Sequence, residues 1–474
     1  MKTKHIKDTF LLGAILLISL SSCQVTKRYS TPKLSIDDIY RDEASTDTAT
    51  IANIPWMEFY SDPILQGYIQ KGLSNNHDML ITQERIKQAE AVLGQARANY
   101  FPELALTAQV DQTRLSSVDP LTGMPKDRNS LAYHKETYTL GVVASWELDV
   151  WGKLNRQSRA SYADMLNSYA GRNLVQTSLI SNIATSYYTL LALDKQLEVT
   201  QDMIRLLHQT LETTIAMKEA GYTTSAAIEQ TRALLHSTKT SVPELEKNIT
   251  HLENALSVML GEPAAAIQRS TIANQMVKTN LSIGVPAQML AKRPDVQQAE
   301  LAFRSAFELT NASRASFYPS INLTSGLIGY STINGLSNFF KPENLIASIA
   351  GGLTQPLFAR KKLITQLNVA KAEERATLIG FEKAVLMAGK EVSDILTTYE
   401  SSTKKNADRA IQVEAQKKAV ADTQELLQAD LATYLEVLSA QQGLLEAQLN
   451  QVNDKLEQLQ AVTNLYRALG GGIN

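Results

Sequence analysis

The second half of the chain repeats the first at an offset of about 210 residues, and this constrains the fold more than any single motif. Arg97-Ala98-Asn99-Tyr100-Phe101-Pro102 returns as Arg314-Ala315-Ser316-Phe317-Tyr318-Pro319, and the Leu-x-Leu-Thr ending at Thr107 returns as the Ile-x-Leu-Thr ending at Thr324. Gln88-Ala89-Glu90 returns as Gln298-Ala299-Glu300. A duplication is the simplest account. It implies two units of one design, residues 56–290 and 291–474.

Each unit contains a rod. Residues 153–220 hold no proline, and at about 1.5 Å per residue such a helix would reach about 100 Å. Ile183, Leu190, Leu197, Ile204 and Leu211 recur every seven residues, and Ile228, Leu235, Val242, Ile249 and Leu256 resume the spacing beyond Gly221. A sevenfold seam stays against its partner only when helices supercoil left-handedly. Gly221 and the polar Thr223-Thr224-Ser225 reverse the chain into an antiparallel hairpin spanning about 153–260, and Pro243 is expected to kink or end the return helix. In the second unit Val385, Val392, Tyr399, Val413, Val420 and Leu427 form one stripe, interrupted at Asn406. Leu431, Leu438, Leu445, Val452, Leu459 and Tyr466 form the returning one, giving a hairpin over about 361–469. By themselves these helices fit an ordinary coiled-coil stalk.

The segments after the aromatic-Pro breaks decide otherwise. Leu104, Leu106, Ala108 and Val110 alternate with Thr107 and Gln109. Tyr138, Leu140, Val142, Ala144 and Trp146 alternate with Thr139, Gly141 and Ser145. Ile321 and Leu323 alternate with Asn322 and Thr324, and a Gly-rich stretch over 345–353 supplies a fourth strand. Two strand hairpins, about 103–148 and 319–357, follow, with polar loops at about 113–136 and 331–343. Such half-apolar strands suit a wall between lipid and water, but a sheet in lipid tolerates no free edge and membrane barrels need at least about eight strands. Several copies of this chain must therefore share one barrel.

The beginning of the chain agrees. Lys2, Lys4 and Lys7 precede an apolar run over 10–20 that is too short to span a bilayer, then Leu20-Ser21-Ser22-Cys23. This reads as a signal peptide over 1–22 and a lipobox, with Cys23 as the lipidated residue; Gln24 in place of Asp points to the outer membrane. Polar residues 24–54 read as an extended tether, so that 23–55 links anchor to body. Cys23 is the one cysteine, which excludes an intramolecular disulfide. With 46 basic and 48 acidic side chains, the net charge of -2 gives nucleic acid no field to follow. His5, His77, His134, His208, His236 and His251 show no metal-binding spacing, no phosphate loop or nucleophile elbow is present, and no catalytic residue, metal or cofactor is expected. Glu147, Asp149 and Trp151 sit where strand becomes helix, a place for capping and packing.

With these residues in view the chain resembles the TolC-like outer membrane factors, in the lipoprotein branch serving resistance-nodulation-division (RND-type) pumps. The likeness runs over about 56–469 and rests on Trp56-Met57-Glu58-Phe59-Tyr60-Ser61-Asp62-Pro63 with Asn75-Asn76-His77-Asp78-Met79, and on Trp146-Glu147-Leu148-Asp149-Val150-Trp151-Gly152-Lys153. It rests also on Arg293-Pro294-Asp295-Val296 and on Thr433-Tyr434-Leu435-Glu436-Val437-Leu438-Ser439-Ala440-Gln441. The resemblance implies a mostly α fold with a β-barrel portion: a homotrimer with four strands per chain in a twelve-stranded barrel, a long coiled-coil periplasmic tunnel, and a mixed belt including about 261–290. It implies a passive exit duct fed by an inner-membrane RND-type transporter through a periplasmic adaptor. Its narrow end would lie at the turns around Gly221 and Asp430, where Asp430 replaces the family's usual glycine. Three copies of Asp430 are a candidate acidic ring at this gate, with a solvated turn aspartate as the alternative, and Glu219 is a candidate for docking the adaptor or a solvated helix residue. A coiled-coil surface or structural lipoprotein without pore activity is the alternative, distinguished by forming no pores.

Overall fold

The computed structural model describes residues 25–32, 50–114, 118, 124–125, 134–276, 292–333, 335–429 and 431–473. By internal contacts the chain divides into two compact units, one comprising Met1–Pro32, Lys87–Leu166 and Glu300–Ile379, the other Lys33–Ile86, Asn167–Ala299 and Gly380–Asn474. The helices in chain order are α1 (Trp56–Phe59), α2 (Pro63–Asn75), α3 (His77–Ala98), α4 (Lys153–Glu219), α5 (Ser225–Met259), α6 (Pro294–Ala315), α7 (Lys362–Gln428) and α8 (Tyr434–Ala468). The strands are β1 (Glu103–Arg114), β2 (His134–Leu148), β3 (Ser320–Ile333) and β4 (Leu345–Thr354). No helix among the described residues is long and apolar enough to cross a membrane.

In the second of these units the sevenfold stripes are the buried faces. Ile183, Leu190, Leu235, Leu256, Val392, Leu459 and Tyr466 are all buried, and straight or branched apolar side chains at this spacing interlock along helix seams. One stripe residue and one proline depart from expectation. Leu431 precedes α8 and is 76% exposed, because the turn takes it off the helix face. Pro243 does not end its helix: α5 continues to Met259, since the buried residues on both sides, Leu235 and Ile249, hold it in place despite the missing backbone donor.

A buried carboxylate joins distant segments of this unit. Asp62 caps α2, its Oδ1 accepting the Ile64 N–H at 2.9 Å. Its Oδ2 accepts from the Tyr187 hydroxyl at 2.8 Å, the Ser270 hydroxyl at 2.6 Å and Gln275 Nε2 at 2.7 Å. Burial opposes ionisation, but the donors from Ser270, Tyr187, Gln275 and the Ile64 amide outweigh it and hold the carboxyl below its usual range. Burial likewise pushes the Tyr187 phenol up to about 12, so it remains a donor. Asp62→Ala strands these donors and uncaps α2, an expected loss of about 2–4 kcal/mol in unfolding of the solubilised protein at neutral pH. The pH dependence follows from the lowered value. The ionised Asp62 stabilises fully above the unfolded value near 3.9, and its contribution disappears as pH falls through the lower folded one. The stability gap between the native chain and Asp62→Asn should therefore narrow on acidification; a gap constant down to strongly acidic pH contradicts the assignment.

In the first unit the amino-terminal segment departs from a free tether. Lys27 exchanges hydrogen bonds with Asn311, its N–H donating to Oδ1 at 3.0 Å and its carbonyl accepting from Nδ2 at 3.2 Å. Tyr29 packs on Phe303 and Phe307 of α6 and donates to Glu300 at 3.2 Å. These contacts dock residues 27–29 on α6. Beneath this segment Arg156 donates to the buried carboxylate of Glu308 at 2.7 Å and to Thr26 Oγ1 at 2.8 Å. In the other unit residues 51–53 form a single 3-10 turn whose Ile51 and Ala52 are buried, so packed structure there begins before Trp56.

Candidate channel wall and helical turns

The four strands form one antiparallel meander in the order β1-β2-β3-β4. They are 12, 15, 14 and 10 residues long, each meeting the roughly 9–11 residues a tilted membrane strand requires. Residues directly opposite in an antiparallel ladder share a face, so the register assigns both sides. Leu104, Leu106, Ala108 and Val110 lie opposite Ala144, Val142, Leu140 and Tyr138. Those in turn share their side with Ile328, Tyr330, Leu323 and Ile321, and with Leu345, Ala347, Ile349 and Leu353. This face is almost wholly apolar. The opposite face carries Thr107, Gln109, Asp111, Thr139, Ser145, Asn322, Thr324 and Ser331, with Val143, Ile333 and Ile346 as apolar exceptions.

One irregularity makes this possible. Val142 to Ser145 is three steps while their partners Ile328 to Thr324 span four, and Ser325 to Ile328 spans three against two from Ile349 to Ala347. The extra residue therefore belongs to β3 against both neighbours, a β-bulge that moves the apolar side from odd to even positions. The Ser325 hydroxyl accepts the Ala144 N–H there at 2.6 Å. Beyond the bulge Gly141 and Gly329 oppose each other so closely that a Cβ on Gly141 would lie 2.9 Å from the Gly329 Cα, which requires glycine at the pair.

Among the described residues nothing covers much of the apolar face: Leu106 is 76% and Ile349 75% exposed. Both outer edges, β1 and β4, lack a strand partner among the described residues. A long bare edge next to a large apolar face is a surface made for lipid on one side and further strands at its ends. Where strands meet helices the sheet is fastened by side chains. Trp146 Nε1 donates to the Tyr100 carbonyl at 2.8 Å and Trp151 Nε1 to that of Pro319 at 2.7 Å. Asp149 accepts the Leu154 and Asn155 amides at 2.9 and 2.8 Å, capping α4, while Glu147 binds Lys153 at 2.7 Å.

At its C-terminal end α4 closes on Gly221. Its φ of 86° lies in the left-handed region, and the Tyr222 N–H returns to the Met217 carbonyl at 2.8 Å, a glycine-terminated stop. Thr224 caps α5 through the Ala227 amide at 3.4 Å. In the second turn the Leu431 N–H makes the same five-residue return to Leu426 at 2.8 Å, and Glu436 accepts the Thr433 N–H at 2.6 Å. Gln441, deep in the motif beginning at Thr433, donates to Thr210 of α4 at 2.7 Å, both groups buried, so it ties the two hairpins together. Thr210 carries no sequence signal for this role, because its partner is 231 residues away. Glu219 is exposed at the end of α4 beside Gly221. Cys23 and Asp430 lie outside the described residues, as do residues 277–290 of the expected belt.

The sequence model of the outer membrane efflux protein family matches residues 68–262 and 285–471. The chain belongs to this family. Among curated relatives, the toluene efflux pump outer membrane protein TtgC of Pseudomonas putida is 26% identical, with 97% of this chain and 94% of that protein covered. The probable outer membrane lipoprotein SilC of Salmonella typhimurium is 26% identical over 88% of each. Among solved structures, the outer-membrane channel OprN superposes with a TM-score of 0.85 at 23% identity, covering 95% of this chain and all (100%) of that one. The fold is therefore that of the TolC-like channels, and the chain is an outer-membrane efflux channel; the pore-free stalk that the helices alone left open is set aside.

Proposed function

We propose that three copies of this chain close one twelve-stranded barrel and act as the exit duct of a tripartite efflux pump. The single observation that carries the reading is the four-stranded sheet with one uncovered apolar face and two unpaired edges. A barrel removes such edges only when β4 of one copy pairs with β1 of the next. Four strands per chain make three copies a closed even-numbered barrel of ordinary size, and the names of TtgC and SilC, an efflux-pump component and a lipoprotein, are in keeping with the assignment. Cys23 carries the lipid that anchors the chain. Small molecules reach the tunnel from an inner-membrane RND-type transporter through a periplasmic adaptor, and pass outward without bond making because the transporter supplies the free energy.

The turns at Gly221 and Asp430 form the periplasmic gate, with Glu219 on its outer surface for the adaptor. Repulsion within a ring of three Asp430 carboxylates opposes closure and favours cations. The purified protein should run as a trimer and give discrete conductance steps in planar bilayers. A stable monomer that forms no pore would end this reading. Asp430→Asn should lower cation preference; unchanged current and selectivity would remove the acidic ring while leaving the duct intact.

A further inference from the structure

All four strands meet helices at one end of the sheet: β1 follows α3, β2 leads into α4, β3 follows α6 and β4 leads into α7. At that end, directly beyond β4, stand Leu357 and Phe358, 95% and 87% exposed, followed by Arg360, Lys361 and Lys362, all exposed. The three cations have no carboxylate partner among the described residues.

Beside them is a groove of about 480 Å³ whose lining includes Trp151, Tyr318, Lys153, Thr354, Pro356 and Lys362. Trp151 and Tyr318 lie ring to ring at 5.0 Å. The groove's carboxylates are already engaged, Glu147 by Lys153 and Asp149 by the two amides of the α4 cap. Lys362, without a carboxylate partner among the described residues, is the groove's remaining cation, beside the Trp151 and Tyr318 rings. Arg360 and Lys361 hold this arrangement in left-handed backbone, φ 48° and 64°, a conformation long side chains seldom adopt.

An exposed apolar pair, neighbouring aromatic rings and unpaired cations, all at the helix end of the sheet, form a pattern suited to a lipid headgroup. We infer that Phe358, Arg360, Lys361 and Lys362, with the Trp151–Tyr318 groove, form a binding site for an anionic phospholipid of the leaflet facing the helices. Arg360 and the lysines bind the phosphate, and Leu357 and Phe358 lie along the acyl chains. The site rests on the membrane placement of the sheet proposed above. A second feature sets the same level: Thr26 and Lys27, three and four residues after the acylated Cys23, dock on Arg156 and Asn311 near this end.

The test is native mass spectrometry of the full-length, delipidated protein titrated with phosphatidylglycerol, phosphatidylcholine or inorganic phosphate, alongside the Arg360→Gly/Lys361→Gly variant. Glycine adopts left-handed backbone freely, so this variant keeps its fold and should melt no lower than the native chain. Phosphatidylglycerol should bind the native protein more tightly than phosphatidylcholine, and the variant should lose roughly 10- to 30-fold in that affinity, as expected for two interfacial charges. Equal affinities for the two lipids, or an unchanged affinity in the variant, would overturn the site. Inorganic phosphate binding as tightly as the lipid would make it a free-anion site and overturn it too, as would dissociation of the variant into monomers, which would place the patch against a neighbouring copy. Native protein that forms neither trimers nor pores would instead defeat the duct on which the site rests.

Discussion

Leu106→Arg is expected to abolish membrane assembly, whereas Thr107→Arg, one residue along β1, should assemble nearly normally. Leu106 belongs to the apolar face opposite Val142, and Thr107 to the polar face opposite Gly141. An arginine turned toward the bilayer interior costs about 2–4 kcal/mol near the midplane of a barrel wall. In a trimer the charge is introduced three times, for about 6–12 kcal/mol in total, comparable with the whole stability of an ordinary domain. On the polar face the same side chain reaches water. The readouts are trimer yield in outer membranes and single-channel conductance. Thr107→Arg should retain pores with altered selectivity, because a cation has been added to the lumen. Assembly of Leu106→Arg at native levels, with failure of Thr107→Arg, would mean that the two faces have been assigned the wrong way round.

Breaking the pair beneath the amino-terminal segment should be nearly as damaging. Glu308 is 1% exposed and receives Arg156 at 2.7 Å. Removing Arg156 alone leaves a carboxylate in the protein interior, with Arg159 at 3.8 Å too distant and too exposed to replace it. Loss of one partner from a buried pair typically costs about 3–5 kcal/mol, whereas replacing both by apolar groups can be close to neutral. Arg156→Met should therefore lower thermal stability sharply, and Arg156→Met/Glu308→Leu should recover most of the loss. Because Arg156 also holds Thr26, the single variant should expose the backbone at Lys27 and Arg28 to trypsin faster than the native chain. Additive effects of the two substitutions would show that no coupling exists.

The contrast between these two sites marks how far the sequence could be read. Leu106 and Thr107 are legible, since alternation along β1 survives intact and needs no partner to be recognised. The heptad residues are legible for the same reason: Ile183, Leu190, Leu235, Leu256, Val392 and Tyr466 are buried because a repeating seam leaves a repeating pattern. Gly221 could be read as a stop because a residue without Cβ enters left-handed backbone at the least steric cost. Leu431 misled, because periodicity alone does not reveal that the helix begins at Tyr434.

Local pattern by itself determined the rods, their reversals and the two strand hairpins, because each of these depends on residues a few positions apart. The tertiary structure decided the rest. The bulge in β3, the Asp62 cluster gathered from residues 125, 208 and 213 positions distant, the Thr210–Gln441 tie and the docking of Lys27 on Asn311 all join groups with no periodic relation. Hydrogen bonds between distant single residues leave no repeat in the chain; their partners become known only when packing brings them within about 3 Å.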